Sequence, residues 1–180
     1  MEAHEMRGMR VPPVTFKMRV RDESIGGDNP YRWEDLTTNQ AFNNKKVLLF
    51  SLPGAFTPTC TELQLPGYEA MYDQFIAAGV DEIYCISVND AFVMNKWAAD
   101  LGITKVKMIP DGSARFTGGL NMTVYKDNYG MGKRSWRFAA MVVDGFITHW
   151  WSEAGKRDDY EFDPYEVTCP DVVYADLVGE

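Results

Sequence analysis

The stretch Val47-Leu48-Leu49-Phe50-Ser51-Leu52-Pro53-Gly54-Ala55-Phe56-Thr57-Pro58-Thr59-Cys60 decides how this chain folds. Its first six residues form an apolar run of the kind that makes a strand buried on both faces. Pro53-Gly54 ends that strand, and the segment beyond it reads as helical. One cysteine is thereby delivered to a first helical turn, where free N–H groups and the helix dipole favour negative charge on sulfur. A lone cysteine after a turn more often packs as a small hydrophobe. Here the spacing Pro53-x-x-x-Thr57-x-x-Cys60 decides otherwise, with a hydroxyl three residues before the thiol and a rigid proline at the strand end.

Outward from this point the elements fall in a regular order. Upstream, residues 14–20 alternate as a strand and Gly26-Gly27-Asp28-Asn29-Pro30 is a turn cluster, which gives an N-terminal β-hairpin. Downstream, Pro66 is expected to interrupt or kink the helix. Beyond it Tyr68, Met71, Tyr72, Phe75 and Ile76 recur at helical spacing, and Gly79 supplies a stop. Residues 83–88 read as a second apolar strand, and Asn89 or Asp90 can cap a helix whose Phe92, Val93, Trp97 and Leu101 read as core. A third strand at 106–109 is closed by Pro110-Asp111-Gly112, and 116–120 is a brief helix. The glycine-rich Gly130-Met131-Gly132-Lys133 is no phosphate cradle, because the segment after it reads as a strand rather than a helix. Residues 138–143 and 146–151 flank Asp144-Gly145, a two-residue hairpin signal. Thr168 and Pro170 open a last helix through Val172, Val173 and Leu177. Parallel strands joined by helices, with an antiparallel hairpin after them, predict a thioredoxin-like α/β fold with a central mixed sheet flanked by helices. A single domain is expected over residues 11–180, with residues 1–10 as a loose tail.

Composition narrows the function. With 180 residues, 46% of them hydrophobic, the chain can bury one sizeable core. A formal charge of −8 argues against nucleic acid as the main partner, since phosphate binding needs a cationic surface. No apolar run has the roughly 18 to 20 residues that span a bilayer. The opening Met1-Glu2-Ala3-His4-Glu5-Met6-Arg7 has no apolar core and does not read as a secretory signal. Three cysteines, Cys60, Cys85 and Cys169, make no disulfide framework and suit a reducing compartment, so the expected location is the cytoplasm. They lie far apart in sequence with only His4 and His149 to join them, which argues against a metal site, and no cofactor is expected.

The Pro53, Thr57 and Cys60 pattern resembles the peroxiredoxin signature, and its continuation through Leu65-Pro66-Gly67-Tyr68 is similar to the Prx5 subfamily. Ser87-Val88-Asn89-Asp90-Ala91-Phe92-Val93-Met94, Pro110-Asp111-Gly112 and Gly132-Lys133-Arg134-Ser135-Trp136-Arg137-Phe138 match in order and approximate spacing, so the resemblance spans residues 14–177. Through Tyr31-Arg32-Trp33 and Thr37-Thr38 the chain looks most like the peroxiredoxin part of bacterial peroxiredoxin–glutaredoxin hybrids. The resemblance implies the same fold and a homodimer built through loops near the active site. It also implies a thiol-dependent peroxidase for hydrogen peroxide and small organic hydroperoxides, acting through a sulfenic acid and recycled by glutathione with glutaredoxin. The alternatives are a thioredoxin-recycled peroxidase with two participating cysteines, and a redox sensor or holdase on the same scaffold. A thioredoxin-like disulfide oxidoreductase is disfavoured because Thr57 stands where a Cys-x-x-Cys motif would place its first cysteine.

Cys60 is the expected nucleophile. Arg137 opens the apolar run Phe138-Ala139-Ala140-Met141-Val142-Val143, where a charge needs a partner, and it matches the family's active-site arginine. Read locally, it is a surface residue of a strand. Thr57 offers its hydroxyl to the peroxide or caps the following turn, and Pro53 shields the thiolate from water. Arg115 and Arg134 lie off the matched position and read as solvated or interface residues. Cys85, mid-strand, reads as core, although some relatives use a cysteine there to link subunits. Cys169, in Val167-Thr168-Cys169-Pro170, is the second candidate for resolving the sulfenic acid. Gln64 departs from the subfamily, which has histidine at this point.

Overall fold

The computed structural model describes residues 3–179. The chain begins with α1 (Ala3–Met6), then the hairpin β1 (Thr15–Arg21) and β2 (Tyr31–Thr37), then α2 (Thr38–Phe42). Thr37 caps α2 with a reciprocal box: its hydroxyl accepts from Gln40 N–H while the Gln40 side chain accepts from the Thr37 N–H. Next come β3 (Lys46–Leu52), a wide helical turn at Cys60–Gln64, α3 (Leu65–Ala70) and α4 (Tyr72–Ala77). Strand β4 (Glu82–Ser87) leads to α5 (Ala91–Asp100), β5 (Lys107–Pro110) and α6 (Arg115–Gly119). The short strands β6 (Thr123–Tyr125) and β7 (Lys133–Ser135) precede β8 (Phe138–Val143), β9 (Phe146–Ser152) and α7 (Pro170–Val178).

The central sheet has five strands in the order β5-β4-β3-β8-β9. β3 runs parallel to β4, with Phe50 opposite Cys85, and antiparallel to β8, with Phe50 opposite Ala139. Every residue of Val47–Leu52 is buried because helices cover both faces. Alternation divides the strand between two cores. Val47 and Leu49 join Phe42, Phe116 and Trp136 on one face, while Leu48, Phe50 and Leu52 join Tyr68, Phe75 and Trp97 on the other. At the tip of the β8–β9 hairpin, Asp144 (φ 50°) and Gly145 (φ 83°) both adopt the left-handed backbone that this two-residue turn requires.

Two expectations need correction. The expected loose tail is ordered over residues 3–10: Met6 is buried, Gly8 N–H donates to Ile147 O (2.7 Å) and Ile147 N–H donates to Met9 O (2.8 Å). β9 is an edge strand, and this segment pairs with its open edge at Ile147. Residues 1–2 of that tail lie outside the described residues. Phe92 is not core either. It is 58% exposed and meets Trp33 edge to face at 5.4 Å, with the Arg19 guanidinium over both rings. Helical spacing identifies the face of α5 that carries Met94 and Trp97, but Phe92 is rotated off it.

Candidate active site

Pro53 ends β3, and the loop it begins is folded by Thr57, whose hydroxyl and N–H both donate to Gly54 O (2.7 and 3.4 Å). Thr61 N–H then donates to Thr57 O (3.0 Å), which starts the helix and places Cys60 in its first turn. From Cys60 to Gln64 the helix is π-wound, closed by Leu65 N–H donating to Cys60 O. Proline has no N–H, so the winding cannot simply continue through Pro66, which instead sits in the first turn of α3. The interruption foreseen at Pro66 is thus a widened turn at the cysteine itself. The junction after β4 braces the loop from the other side: Asn89 Oδ1 accepts from Ala55 N–H (3.0 Å) and from Ser87 Oγ (2.6 Å), leaving Asp90 to cap α5 at Val93 N–H (3.0 Å).

Cys60 is fully buried, and Arg137 Nη1 lies 3.5 Å from its Sγ. Arg137 is itself 1% exposed, not a surface strand residue. Each of its nitrogens has a further partner. Nη1 also reaches Gln64 Oε1, Nη2 donates to Asp163 Oδ1 (2.6 Å), Nε donates to Pro164 O (3.1 Å), and the group lies over the Tyr165 ring at 5.4 Å. Burial opposes the arginine's charge, but the Cys60 sulfur and the Asp163 carboxylate outweigh it and hold its pKa above the ordinary guanidinium value. A planar five-donor cation is the side chain that can serve sulfur, amide, carboxylate and carbonyl together. Gln64 stands where the subfamily has histidine: it is completely buried, it orients Arg137, and its Nε2 has no partner among the described residues.

Two further residues belong to the site. Arg134, expected to be solvated or at an interface, is half-buried, with Nε donating to Met131 O (3.0 Å) and Nη1 to Pro53 O (3.4 Å). Burial lowers its pKa while the Cys60 sulfur acts the other way. A Cβ on Gly54 would come within 2.5 Å of Arg134 Nη1, so glycine is required for that approach. Arg115, by contrast, is exposed. Glu153, beyond the end of β9, is buried and has no counterpart in the sequence reading. Its N–H donates to Arg137 O (3.2 Å), and its carboxylate accepts from the N–H groups of Glu166 (2.6 Å), Val167 (2.7 Å) and Thr168 (3.2 Å). One carboxylate therefore ties down the loop that brings Asp163 and Pro164 onto Arg137. Its only sequence signal is a lone acid directly after an apolar strand.

Glu153→Gln is expected to loosen this loop, because an amide presents one acceptor oxygen where the carboxylate presents two. Removing charge-assisted bonds of this kind costs about 1–3 kcal/mol. The midpoint of thermal unfolding should fall by a few degrees, and single-turnover peroxide reduction should slow about 10-fold as Arg137 loses its fixed partners. An unchanged turnover rate would show that Arg137 is held without this clamp.

The remaining cysteines lie apart in character. Cys85 is fully buried in β4, and burial, with the Cys60 sulfur acting in the same direction, pushes its thiol pKa well above the ordinary value. Cys169 is half-exposed at the start of α7, with its Sγ donating to Glu166 O (3.2 Å). Tyr68 OH donates to Thr168 O (2.6 Å), and a Cβ on Gly67 would sit 3.1 Å from Pro170 Cγ, so α3 and the start of α7 are packed together. All three thiols are free.

A buried cysteine in a first helical turn, bonded by a buried arginine on a thioredoxin-like sheet, defines a thiol peroxidase. Comparison with known proteins agrees. The Redoxin family profile matches residues 8–166. The chain is 55% identical over 168 residues to a peroxiredoxin of Sinorhizobium fredii, covering 93% of this chain and 89% of that one. It is 42% identical over 175 residues to the hybrid peroxiredoxin hyPrx5 of Haemophilus influenzae, covering 97% of this chain and 67% of that one. The solved structure of a 1-Cys peroxiredoxin, the antioxidant protein of Plasmodium falciparum, superposes with a TM-score of 0.89 at 39% identity, covering 96% and 99%. The chain belongs to the peroxiredoxins, and within them to the Prx5-like subfamily.

Proposed function

We propose that the protein reduces hydrogen peroxide and small organic hydroperoxides and is itself reduced by glutathione with glutaredoxin. The observation that carries the peroxide reading is the 3.5 Å contact between Arg137 Nη1 and Cys60 Sγ, two groups buried together beside buried Gln64. The Cys60 thiolate attacks one peroxide oxygen, the O–O bond breaks, and the departing oxygen leaves as water or alcohol after taking up a proton. Arg137 stabilises the charge on both sides of that exchange, and the Thr57 hydroxyl, whose proton is committed to Gly54 O, keeps lone pairs to receive the peroxide O–H. Cys60 is left as a sulfenic acid.

Recycling by an external thiol is supported by how firmly Cys169 is held. Glu153 fixes the residues before it, Tyr68 fixes Thr168, and Pro170 packs on Gly67. A Cys60–Cys169 disulfide, which needs Cα atoms within about 7 Å, must work against these contacts. The likeness to a 1-Cys peroxiredoxin suits a mechanism without a resolving cysteine. Steady-state assays with glutaredoxin and glutathione, run beside thioredoxin, test this. Oxidised protein is expected to gain one glutathionyl adduct at Cys60, and Cys169→Ser is expected to turn over normally. A peroxide-induced Cys60–Cys169 link in peptide mass maps, with thioredoxin-dependent turnover lost in Cys169→Ser, would reverse the assignment. A Cys60–Cys85 link between subunits would overturn both versions.

The proposal includes a homodimer in the cytoplasm, where a thiol supply exists. Exposed Phe56 (50%), Trp33 (53%) and Phe92 (58%) support the dimer, with Trp33 meeting Phe92 and Phe56 lying against Trp97 of the same helix. Native mass in solution tests it, and a monomer at micromolar concentration contradicts it.

A further inference from the structure

Gln64 Nε2 is the one side-chain polar atom among the described residues that is buried without a hydrogen-bond partner. The other end of the amide is committed. Oε1 accepts from Arg137 Nη1, the same nitrogen that lies 3.5 Å from Cys60 Sγ. That contact fixes which end is which: turning the amide over would set its NH2 against the guanidinium, donor facing donor. The winding brings this amide to the sulfur. Gln64 follows Cys60 by four residues within the π-wound turn, and long helical side chains reach back over the preceding turn. Bonding is complete at comparable buried groups, where Ser51 Oγ donates to Ser135 Oγ, Thr117 Oγ1 to Asp111 and Thr168 Oγ1 to Glu153. A buried donor left unmade is destabilising, and methionine, of similar volume, would avoid the penalty. An unused donor kept beside the nucleophile is accounted for if its partner arrives with the substrate.

We propose that Gln64 is a catalytic residue whose Nε2 donates to the oxygen that Cys60 takes from peroxide. The proposal rests on the peroxide reading above and is independent of the reductant. As the thiolate attacks, the S–O bond forms and the O–O bond breaks; sulfur loses two electrons and the peroxide gains them. The departing oxygen takes up the proton that the thiol released on ionising, and leaves as water or alcohol. The transferred oxygen keeps its own proton as the sulfenic acid hydroxyl, and its lone pairs accept from Gln64. Arg137 serves the charge at sulfur and at the departing oxygen, while the amide serves the oxygen that stays. This bond exists only once that oxygen has come within reach, so it favours the transition state over the resting thiolate.

The test compares two reactions of the same thiolate, peroxide reduction and alkylation by iodoacetamide, which transfers no oxygen. Second-order rates are measured where each has reached its plateau with pH, so a changed Cys60 ionisation drops out. The readout is the peroxide rate divided by the alkylation rate. Gln64→Glu keeps an acceptor for Arg137 and loses the donor, whereas Gln64→Met loses both and brings no charge. Each is expected to lower the ratio about 10-fold, less than the ~100-fold of a principal oxyanion donor because Arg137 remains. If Gln64 only orients Arg137, Gln64→Glu keeps the ratio within about twofold of wild type, and if added charge is the whole cause, Gln64→Met does. Either result overturns the donor. Where a variant does not fold, isotopically labelled wild-type protein decides by nuclear magnetic resonance. The Gln64 side-chain amide protons must shift when one equivalent of peroxide oxidises Cys60, and unmoved resonances overturn the proposal. Failure of the peroxide reading looks different: the wild-type thiolate then reacts with peroxide no faster than a free thiol, which removes both.

Discussion

Replacing Cys60 with serine is expected to reduce peroxide consumption to that of buffer while leaving the domain folded. Attack on the O–O bond needs a polarisable anion at neutral pH, and a serine hydroxyl supplies neither the charge nor the nucleophilicity. The fold has little at stake in the exchange. Serine is slightly smaller than cysteine, and its oxygen can accept from Arg137 Nη1, which now lies 3.5 Å from the sulfur. The net change in stability should stay within about 1 kcal/mol, a small cavity offset by a stronger hydrogen bond. Peroxide loss monitored in the presence of a reductant, together with thermal unfolding of the same preparation, separates the two effects. If activity fell only a few-fold, the nucleophile would have to be half-exposed Cys169, because Cys85 is sealed in the core.

The features legible in the sequence are those that local physics settles. A six-residue apolar run between a lysine pair and Pro-Gly has almost no stable form except a doubly covered strand, and β3 is that strand. Asp144-Gly145 fixed a hairpin because few residue pairs tolerate its backbone. The residues that escaped local reading are settled by distant partners. Residues 3–10 become ordered because β9, whose last residue is Ser152, leaves an edge for them to pair with. β6 and β7 have three residues each, too short for any periodicity, and hold only because they pair with one another. Helical spacing placed Trp97 inward, but the hairpin beside α5 decided that Phe92 would meet Trp33 at the surface.

The site divides along the same line. Pro53, Thr57 and Cys60 lie within eight residues, so turn, hydroxyl and helix start could be read together. Arg137 is 77 residues from Cys60, and its local setting suggests a surface strand; only the family resemblance connected them. Glu153 and Asp163 act on Arg137 through a loop with no motif of its own, and Arg134 reaches the start of the cysteine loop at Pro53 O, a contact that no spacing encodes. Gln64 was visible only as a departure from a pattern. Its position opposite Arg137 depends on the π-wound turn, which shifts it relative to Cys60 by a fraction of a helical turn.

Arg137→Met is expected to slow peroxide reduction at least 100-fold, the scale of removing one preorganised charge-stabilising donor from a buried site. Methionine fills much of the same volume but takes away the cation beside the thiolate and the donors that accompany it. It also leaves Asp163, Pro164 O and Gln64 Oε1 without their partner, so about 1–3 kcal/mol of stability should be lost as well. That loss confounds the kinetic result unless it is controlled. Arg137→Lys provides the control: it keeps the charge, but one ammonium cannot reach sulfur, amide, carboxylate and carbonyl at once. The lysine variant should therefore fall between wild type and methionine, at roughly a 10-fold loss. Trp97, whose Nε1 donates to Thr61 Oγ1 at 3.0 Å in the turn carrying Cys60, offers a fluorescence signal for single-turnover oxidation. Peroxide attack is to be measured under conditions where thermal unfolding shows each variant folded. A methionine variant that stays folded and reacts within tenfold of wild type would mean that the helix start alone activates Cys60, and that Arg137 serves only to hold the loop carrying Asp163.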